Sequence, residues 1–297
     1  MQTTRFSEWI GSHRDFLIDL IRVYLGVGLF IKGISFLTNP GALASVAGDT
    51  WISTMAGIVP YVHIVGGLML AIGFFPRIAA LVQIPIVFVA TFFVNLPRMQ
   101  GIEAREAVEF SALVLFLLAI FLVRGARTLV ITDRWQLKGE RMAPYKRWID
   151  GHPDFFMDLI RMYLGLGLLI KGFYIMGHQA EFVRLIERTG TMPFLPIVVA
   201  HYVIPAHFAG GLMLLLGFGT RLAAIVQIPL LIGAVFYLYL PRFSTLELRQ
   251  NLEFTALVLF LLCVITAYGP GRYSVDYLAH KKEEEGSHAG MQPAHGY

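Results

Sequence analysis

The feature that most constrains this chain is a series of apolar runs, each long enough to cross a lipid bilayer. Crossing a hydrocarbon core of about 30 Å takes about 20 helical residues. Only 15% of the 297 residues are charged, whereas a soluble domain carries about 25%. The sequence therefore predicts an all-α integral membrane protein with eight transmembrane helices. The runs cover residues 16–37, 53–75, 78–97, 107–124, 155–176, 195–218, 221–240 and 251–268.

Positive charge is concentrated in one set of connections between the runs. Seven Lys or Arg lie between residues 124 and 147, and Arg77 and Arg221 lie in two short connections. Because cytoplasmic loops carry an excess of Lys and Arg, we expect these connections and both termini on the cytoplasmic side of the inner membrane. We expect no nucleic-acid partner, since the net charge of +4 follows this topology. The single cysteine, Cys263, excludes an internal disulfide and an iron–sulfur cluster held by thiolates.

The chain contains one unit written twice. "WIGSHRDFLIDLIRVYLGVGLFIKG" (9–33) returns as "WIDGHPDFFMDLIRMYLGLGLLIKG" (148–172), an offset of 139 that becomes 144 further along. Each unit has four runs, an even number, so both enter the bilayer from the same side. The repeat predicts two parallel four-helix bundles related by a pseudo-two-fold axis along the membrane normal. We divide the chain into a first unit with a cytoplasmic linker (1–145), a second unit (146–280) and a disordered cytoplasmic tail (281–297).

A lysine lies inside an apolar run of each unit, at Lys32 and Lys171. A charged side chain in hydrocarbon costs about 3 kcal/mol on insertion scales, so such a residue is by default a functional candidate. Two interpretations stay open. Either Glu109 of the same unit neutralises Lys32, or the lysine faces a bound anion or a quinone oxygen in a cationic pocket that opens outward.

Other polar residues kept in both units suggest further roles. Asp15, Asp19 and Arg22 share one helical face at spacings of four and three, which predicts a structural ion-pair cluster near Arg77. His63 and His207 are each followed by a Gly-Gly pair at i+3 and i+4. These small residues either let helices pack closely or make room for a haem b held between the two imidazoles.

Four stretches resemble the DoxX family of small four-helix membrane proteins, here fused in tandem. They are "YLGVGLFIKG", "GGLMLAIGFFPRIAAL", "GGLMLLLGFGTRLAAI" and "YGPGRYSVD". The resemblance covers roughly 16–130 and 155–278. It implies a link to quinone-coupled redox chemistry, because the family includes the DoxD-type membrane subunit of thiosulfate:quinone oxidoreductase. The chain would then be the quinone-side membrane subunit of a complex that oxidises thiosulfate, with other membrane or extracytoplasmic subunits as partners.

Under this interpretation a quinone is held near His63 or His207, and the imidazole exchanges a proton with Glu109 or Glu253, since histidine shuttles protons near neutral pH. The predicted binding residues are Lys32, Lys171, Arg98, Arg242, Arg105 and Arg249. Three alternatives stay open: a non-catalytic subunit that anchors a respiratory or photosynthetic complex, a bis-histidine haem b electron carrier, and a transporter.

Overall fold

The computed structural model describes residues 13–41, 43, 52, 56–131, 143–188, 195–242 and 246–290, and this part of the chain is helical, without strands. The first unit contains α1 (Arg14–Thr38), α2 (Val59–Ile72), α3 (Pro76–Val89) and α4 (Gly101–Arg124). The second contains α5 (Ala143–Gly151), α6 (Phe155–Gly177), α7 (Gln179–Glu187), α8 (Leu195–Leu216), α9 (Thr220–Gly233) and α10 (Leu246–Tyr268). A last helix, α11, covers Val275–Gly290.

Seven helical stretches in the described part are long and apolar enough to cross a membrane, so the chain is a multi-pass membrane protein, but the predicted count of eight is not confirmed. The exception is α2, whose 14 residues measure about 21 Å at 1.5 Å per residue. Pro60 lies in its first turn, and Gly73, at φ 71°, ends it. Residues 53–55 of the predicted run lie outside the described residues. The seven stretches are Arg14–Thr38, Pro76–Arg98, Gly101–Arg124, Phe155–Gly177, Ile197–Leu216, Thr220–Tyr239 and Leu248–Tyr268.

Helices α3 and α9 each contain a proline and continue as π-helix. Pro85 lies inside α3, which passes into the π-helical segment Ala90–Asn95; Pro229 and Ala234–Tyr239 repeat this arrangement. Proline lacks the N–H of a regular helical turn, and π-helical turns are frequent at functional sites. The last residues of these segments, Asn95 and Tyr239, are equivalent positions with different side chains.

Each unit contains one very close helix pair: α1 packs on α2, and the equivalent helices α6 and α8 pack in the same way. A Cβ at Gly26 would lie 2.4 Å from the backbone nitrogen of Ala71, and one at Gly165 would lie 2.4 Å from that of Leu215. Small residues on one stripe allow this approach. The glycines therefore hold the two units to the same internal geometry.

The two units join through α4 and α10, supported by α1 and α6. Two aromatic stacks repeat across this interface: Tyr24 on Phe260, with ring centroids 4.4 Å apart, and Phe116 on Tyr163, at 4.3 Å. The members of the second stack are the copies of those of the first. Each unit therefore uses the same surface to contact the other.

The predicted ion-pair cluster is present where α1 begins. Asp19 and Arg22 are fully buried, and Arg124 pairs with Asp19 at 3.2 Å and with Asp15 at 2.6 Å. One carboxylate oxygen of Asp19 also accepts hydrogen bonds from the backbone N–H groups of Arg127 and Thr128. These contacts tie the segment after α4 to α1, which is a structural role.

The tail predicted as disordered from residue 281 is helical as far as Gly290, in α11. The hydroxyl of Ser274 accepts the backbone N–H of Tyr277, and such a contact satisfies a donor at a helix start. Lys281, Lys282 and Glu283 continue the helix, and both side-chain types favour it. Disorder of the chain beyond α11 stays a prediction. Residues 291–297 lie outside the described part.

Candidate functional site

Lys32 is neutralised by a glutamate of the other unit. The residue is only 8% exposed, and its Nζ donates a hydrogen bond of 2.8 Å to Oε2 of Glu253 on α10. The sequence-based alternative, a pair with Glu109 of the same unit, is therefore wrong. Its physical basis was sound, since a buried ammonium needs a counter-ion. Because α10 contacts α1 across the interface, the counter-ion is Glu253 instead of Glu109.

The second lysine makes the reciprocal contact. Lys171 Nζ donates to Glu106 Oε1 at 2.6 Å and to Glu109 Oε2 at 3.4 Å, both on α4. Arg105 donates from Nε to the other oxygen of Glu109 at 2.9 Å. The two units thus exchange ion pairs, and each lysine connects its own unit to the last spanning helix of its neighbour.

His63 is held in one orientation by Gln83. Its Nδ1 lies 2.6 Å from Oε1 of Gln83, whose Nε2 donates to the carbonyl of Val62 at 3.0 Å. Because the amide nitrogen is engaged by a carbonyl, the amide oxygen faces the ring, and Nδ1 must carry the proton. The Nε2 of the uncharged imidazole is then an acceptor. Gln83 thus joins α3 to α2 through both ends of its amide.

A cavity of about 630 Å³ lies beside this lysine and histidine. Its walls come from α1, α2, α3 and α4 of the first unit and from α10 of the second, and most are apolar. Val27 and Ile31, in the wall formed by α1, are 43% and 56% exposed, so the cavity reaches the apolar outer surface of α1. The polar side chains in its lining are Tyr24, Lys32, His63, Asn95, Ser111, Gln250 and Glu253.

The second unit holds the same residue types in a different arrangement. Tyr239 is 2% exposed, and its hydroxyl donates a 2.6 Å hydrogen bond to Glu106 Oε2. The pair equivalent to His63 and Gln83 is not joined: the ring of His207 has a backbone contact with Val203 instead, and Oε1 of Gln227 is buried without a hydrogen-bond partner among the described residues. The lysine and glutamate here bind an additional tyrosine, and the histidine lacks its glutamine.

The predicted arginines are placed unevenly. Arg249 donates to the hydroxyl of Ser35 at 2.6 Å, close to Lys32. Arg105 is engaged by Glu109 and lies over the ring of Tyr174 at 4.4 Å. Arg98 is exposed, and the side chain of Arg242 lies outside the described residues. Of the predicted cationic set, the structure brings Arg249 near Lys32 and Glu253.

Four important residues escaped the sequence analysis, namely Asn95, Glu106, Tyr239 and Gln250. We looked for polar residues identical in both units, and these positions differ: Asn95 corresponds to Tyr239, and Gln250 to Glu106. A signal was nevertheless present. Both positions are polar in both copies, and both changed during the divergence of a chain that kept the residues around them.

The described residues contain no group of three or more His, Cys, Asp or Glu side chains that could hold a metal ion. His63 and His207 lie on α2 and α8, which pack within their own units, whereas α4 and α10 form the main contact between units. This arrangement does not favour a haem clamped between the two imidazoles. Haem binding stays a prediction.

Comparison with known proteins gives a family. The family model of DoxX matches residues 17–96 and 156–240, which together make up more than half of the chain. The two matches fall on equivalent parts of the two units. No curated protein and no solved structure matches this chain.

Proposed function

This chain belongs to the DoxX family, and we propose that it is a quinone-binding membrane subunit of a redox system. The observation that supports this best is the cavity beside Lys32, with about 630 Å³ of space and mostly apolar walls. Ligand pockets typically have 300–1,000 Å³ and a few well-placed polar groups. A quinone matches this chemistry, because its ring is apolar and its two carbonyl oxygens accept hydrogen bonds.

The polar end of the cavity suits quinone oxygens. An ammonium group has three N–H donors, and Lys32 gives one to Glu253. A further N–H would donate to a ring oxygen. The Nε2 of His63 would accept a proton from a quinol or, once protonated, donate one to a quinone as it is reduced, and Glu253, with 27% of its side chain exposed, would exchange that proton with the surroundings. Reduction of a quinone takes up two electrons and two protons.

Entry from the bilayer fits the opening of the cavity. Val27 and Ile31 lie both in the cavity lining and on the exposed side of α1, so a ligand dissolved in lipid would reach the site sideways. The isoprenoid tail of a quinone would remain against this apolar rim.

The proposed electron donor is thiosulfate, oxidised with the help of other membrane or extracytoplasmic subunits. Two thiosulfate ions joined through a new S–S bond form tetrathionate and release the two electrons that the quinone takes up. Arg98 and Arg249, on the side of the bundle where α4 and α10 begin, provide positive charge for an anion there. The reciprocal ion pairs support the proposed pseudo-two-fold relation between the units.

The test is a titration of the purified protein with decylubiquinone, using Lys32→Met and its matched control Lys171→Met. We expect Lys32→Met to raise Kd at least tenfold, which corresponds to about 1.4 kcal/mol. Lys171→Met should leave Kd within about twofold, since its partners lie away from the cavity. Equal Kd values for wild type and Lys32→Met would overturn the proposal.

A non-catalytic anchoring subunit is the second candidate, and the buried ion pairs across the interface favour it. Removing one member of such a pair typically costs 3–5 kcal/mol, so these residues matter for stability whatever else they do. In that case both lysine variants would weaken co-purification with larger partners equally, and decylubiquinone would not bind to the wild-type protein.

A further inference from the structure

We infer that each chain holds one ligand molecule, in the first unit, and that Tyr239 and Glu106 close the equivalent space in the second unit. The inference rests on the proposed function only in the choice of a quinone as probe. The closure itself follows from side-chain contacts that do not depend on what binds.

The first observation is the direction of two equivalent side chains. In the first unit Asn95 turns back onto α4, where its Nδ2 donates to the carbonyl of Ala107 at 3.2 Å and to Ser111 Oγ at 3.1 Å. The cavity extends from there to Gln250. In the second unit Tyr239 and Glu106 occupy the positions of Asn95 and Gln250, and they bond to each other directly. A side chain that joins these two positions takes up the space between them.

The second observation is the apolar packing of α7 near the contact between Tyr239 and Glu106. Phe36 and its counterpart Ile175 are both buried, at 7% and 1% exposed, but they have different neighbours: Phe36 borders the cavity. Ile175 belongs to an apolar cluster with Phe182 and Leu185 of α7 and Ile102 of α4. Helix α7 lies in the connection that gained residues when the units diverged, and it covers the second unit at the end where Lys171 lies.

The third observation is the balance of charge. The cluster in the second unit contains two cations, Lys171 and Arg105, and two anions, Glu106 and Glu109. In the first unit Gln250 replaces one of the anions, so Lys32 and Arg249 face Glu253 alone among the described residues. The first site therefore favours a ligand with an electron-rich oxygen, whereas Lys171 and Arg105 of the second already have carboxylate partners.

The first experiment measures closure without a quinone. Ser111 and Thr255 are equivalent and similarly buried, yet only Ser111 is in the cavity lining described above. Ser111→Cys and Thr255→Cys, each with Cys263→Ser, are treated with N-ethylmaleimide in detergent. We expect the cysteine at 111 to react at least tenfold faster than that at 255. Equal rates would overturn the inference.

The second experiment counts ligands by equilibrium binding of decylubiquinone. Wild type should bind one molecule per chain, and Asn95→Tyr with Gln250→Glu, which copies the closed unit, should bind none. Tyr239→Asn with Glu106→Gln should bind two and should speed the labelling of a cysteine at 255. The closing variant keeps the inference testable if the opening variant does not fold.

The outcomes separate the two proposals. If wild type binds no quinone and the tenfold labelling difference is found, the proposed function fails and the closure of the second unit stands. If wild type binds two molecules and both cysteines react equally, quinone binding stands and the inference of a single site fails.

Discussion

The first and second units carry the same lysine, histidine and glutamine at equivalent positions, but they use them differently. In the first unit His63 is fixed by Gln83, and Lys32 and Glu253 line a cavity. In the second, the buried polar groups of Lys171, Glu106 and Tyr239 bind to one another. A duplicated membrane scaffold thus keeps its packing while one copy retains space and the other loses it.

Two coupled positions account for this difference. A tyrosine at 239 needs an acceptor for its buried hydroxyl, and the glutamate at 106 supplies one. In the first unit Asn95, which is shorter than a tyrosine, replaces Tyr239, and Gln250, which is uncharged, replaces Glu106. The comparison teaches that a site in a repeated protein is better located by paired differences between the copies than by identities alone.

The largest effect should come from removing Glu106. Glu106→Leu leaves the ammonium of Lys171 with the more distant Glu109 and deprives Tyr239 of its acceptor, so we expect a loss of about 3 kcal/mol in the free energy of unfolding. Gln250→Leu, at the equivalent position, should change it by less than about 1 kcal/mol. Unfolding in mixed detergent measures both. Equal losses would show that positions 106 and 250 contribute equally to stability, and that the second unit does not depend more on its buried polar cluster.

The close glycine contacts should behave alike in both units. Gly26→Ala and Gly165→Ala each place a methyl group 2.4 Å from a backbone nitrogen, and overpacking of this kind costs about 1–3 kcal/mol. Gly28→Ala and Gly167→Ala are the matched controls, since nothing lies within 4 Å of an added Cβ there. Thermal unfolding should show two destabilised variants and two that are unchanged or slightly more stable. A marked difference between Gly26→Ala and Gly165→Ala would show that the scaffolds also diverged.

Replacing the histidine should cost more stability in the first unit, whereas replacing the residue at position 106 or 250 should cost more in the second unit's cluster. His63→Leu leaves the buried Oε1 of Gln83 without its partner, which costs about 2 kcal/mol. His207→Leu removes a ring that makes no hydrogen bond to Gln227, so this glutamine loses no partner and we expect a change below about 1 kcal/mol. Chemical unfolding of the two variants gives the comparison. A larger loss for His207→Leu would mean that this ring has a partner beyond the contacts described above.

The smallest effect should come from an exposed pair between the units. Arg188 lies 3.2 Å from Glu103, but 64% of its side chain is exposed, and pairs at the surface contribute about 0.2–1 kcal/mol. Arg188→Ala should therefore lower the free energy of unfolding by less than about 0.5 kcal/mol, and high salt should erase the difference. A loss comparable to that of Glu106→Leu would show that α7 is held by this contact rather than by its apolar face.

Much of the architecture could be read from the sequence. The apolar runs predicted seven spans that the structure supports, and the internal repeat predicted the two units. The run at 53–75 is not confirmed as a span, because α2 has only 14 described residues, with a proline in its first turn and a left-handed glycine at its end. The helix that covers residues 281–290 was not anticipated, because charged residues also form helices.

The candidate site was predicted only in part. Lys32, His63 and Glu253 were identified from their presence in both units, and the structure brings them to one cavity. The arrangement of Glu106 and Tyr239 was missed, because residues that differ between copies lay outside the comparison.

The sequence by itself determined that the chain is a membrane protein made of two related units, because apolar length and repetition are properties of the chain alone. It also determined which polar residues need partners. Only the tertiary structure decided which residues those partners are. Glu109 and Glu253 are copies of each other with nearly the same neighbours in sequence, so the sequence does not show which of them pairs with which lysine. The packing of α10 against α1 and of α4 against α6 selects the glutamate of the other unit.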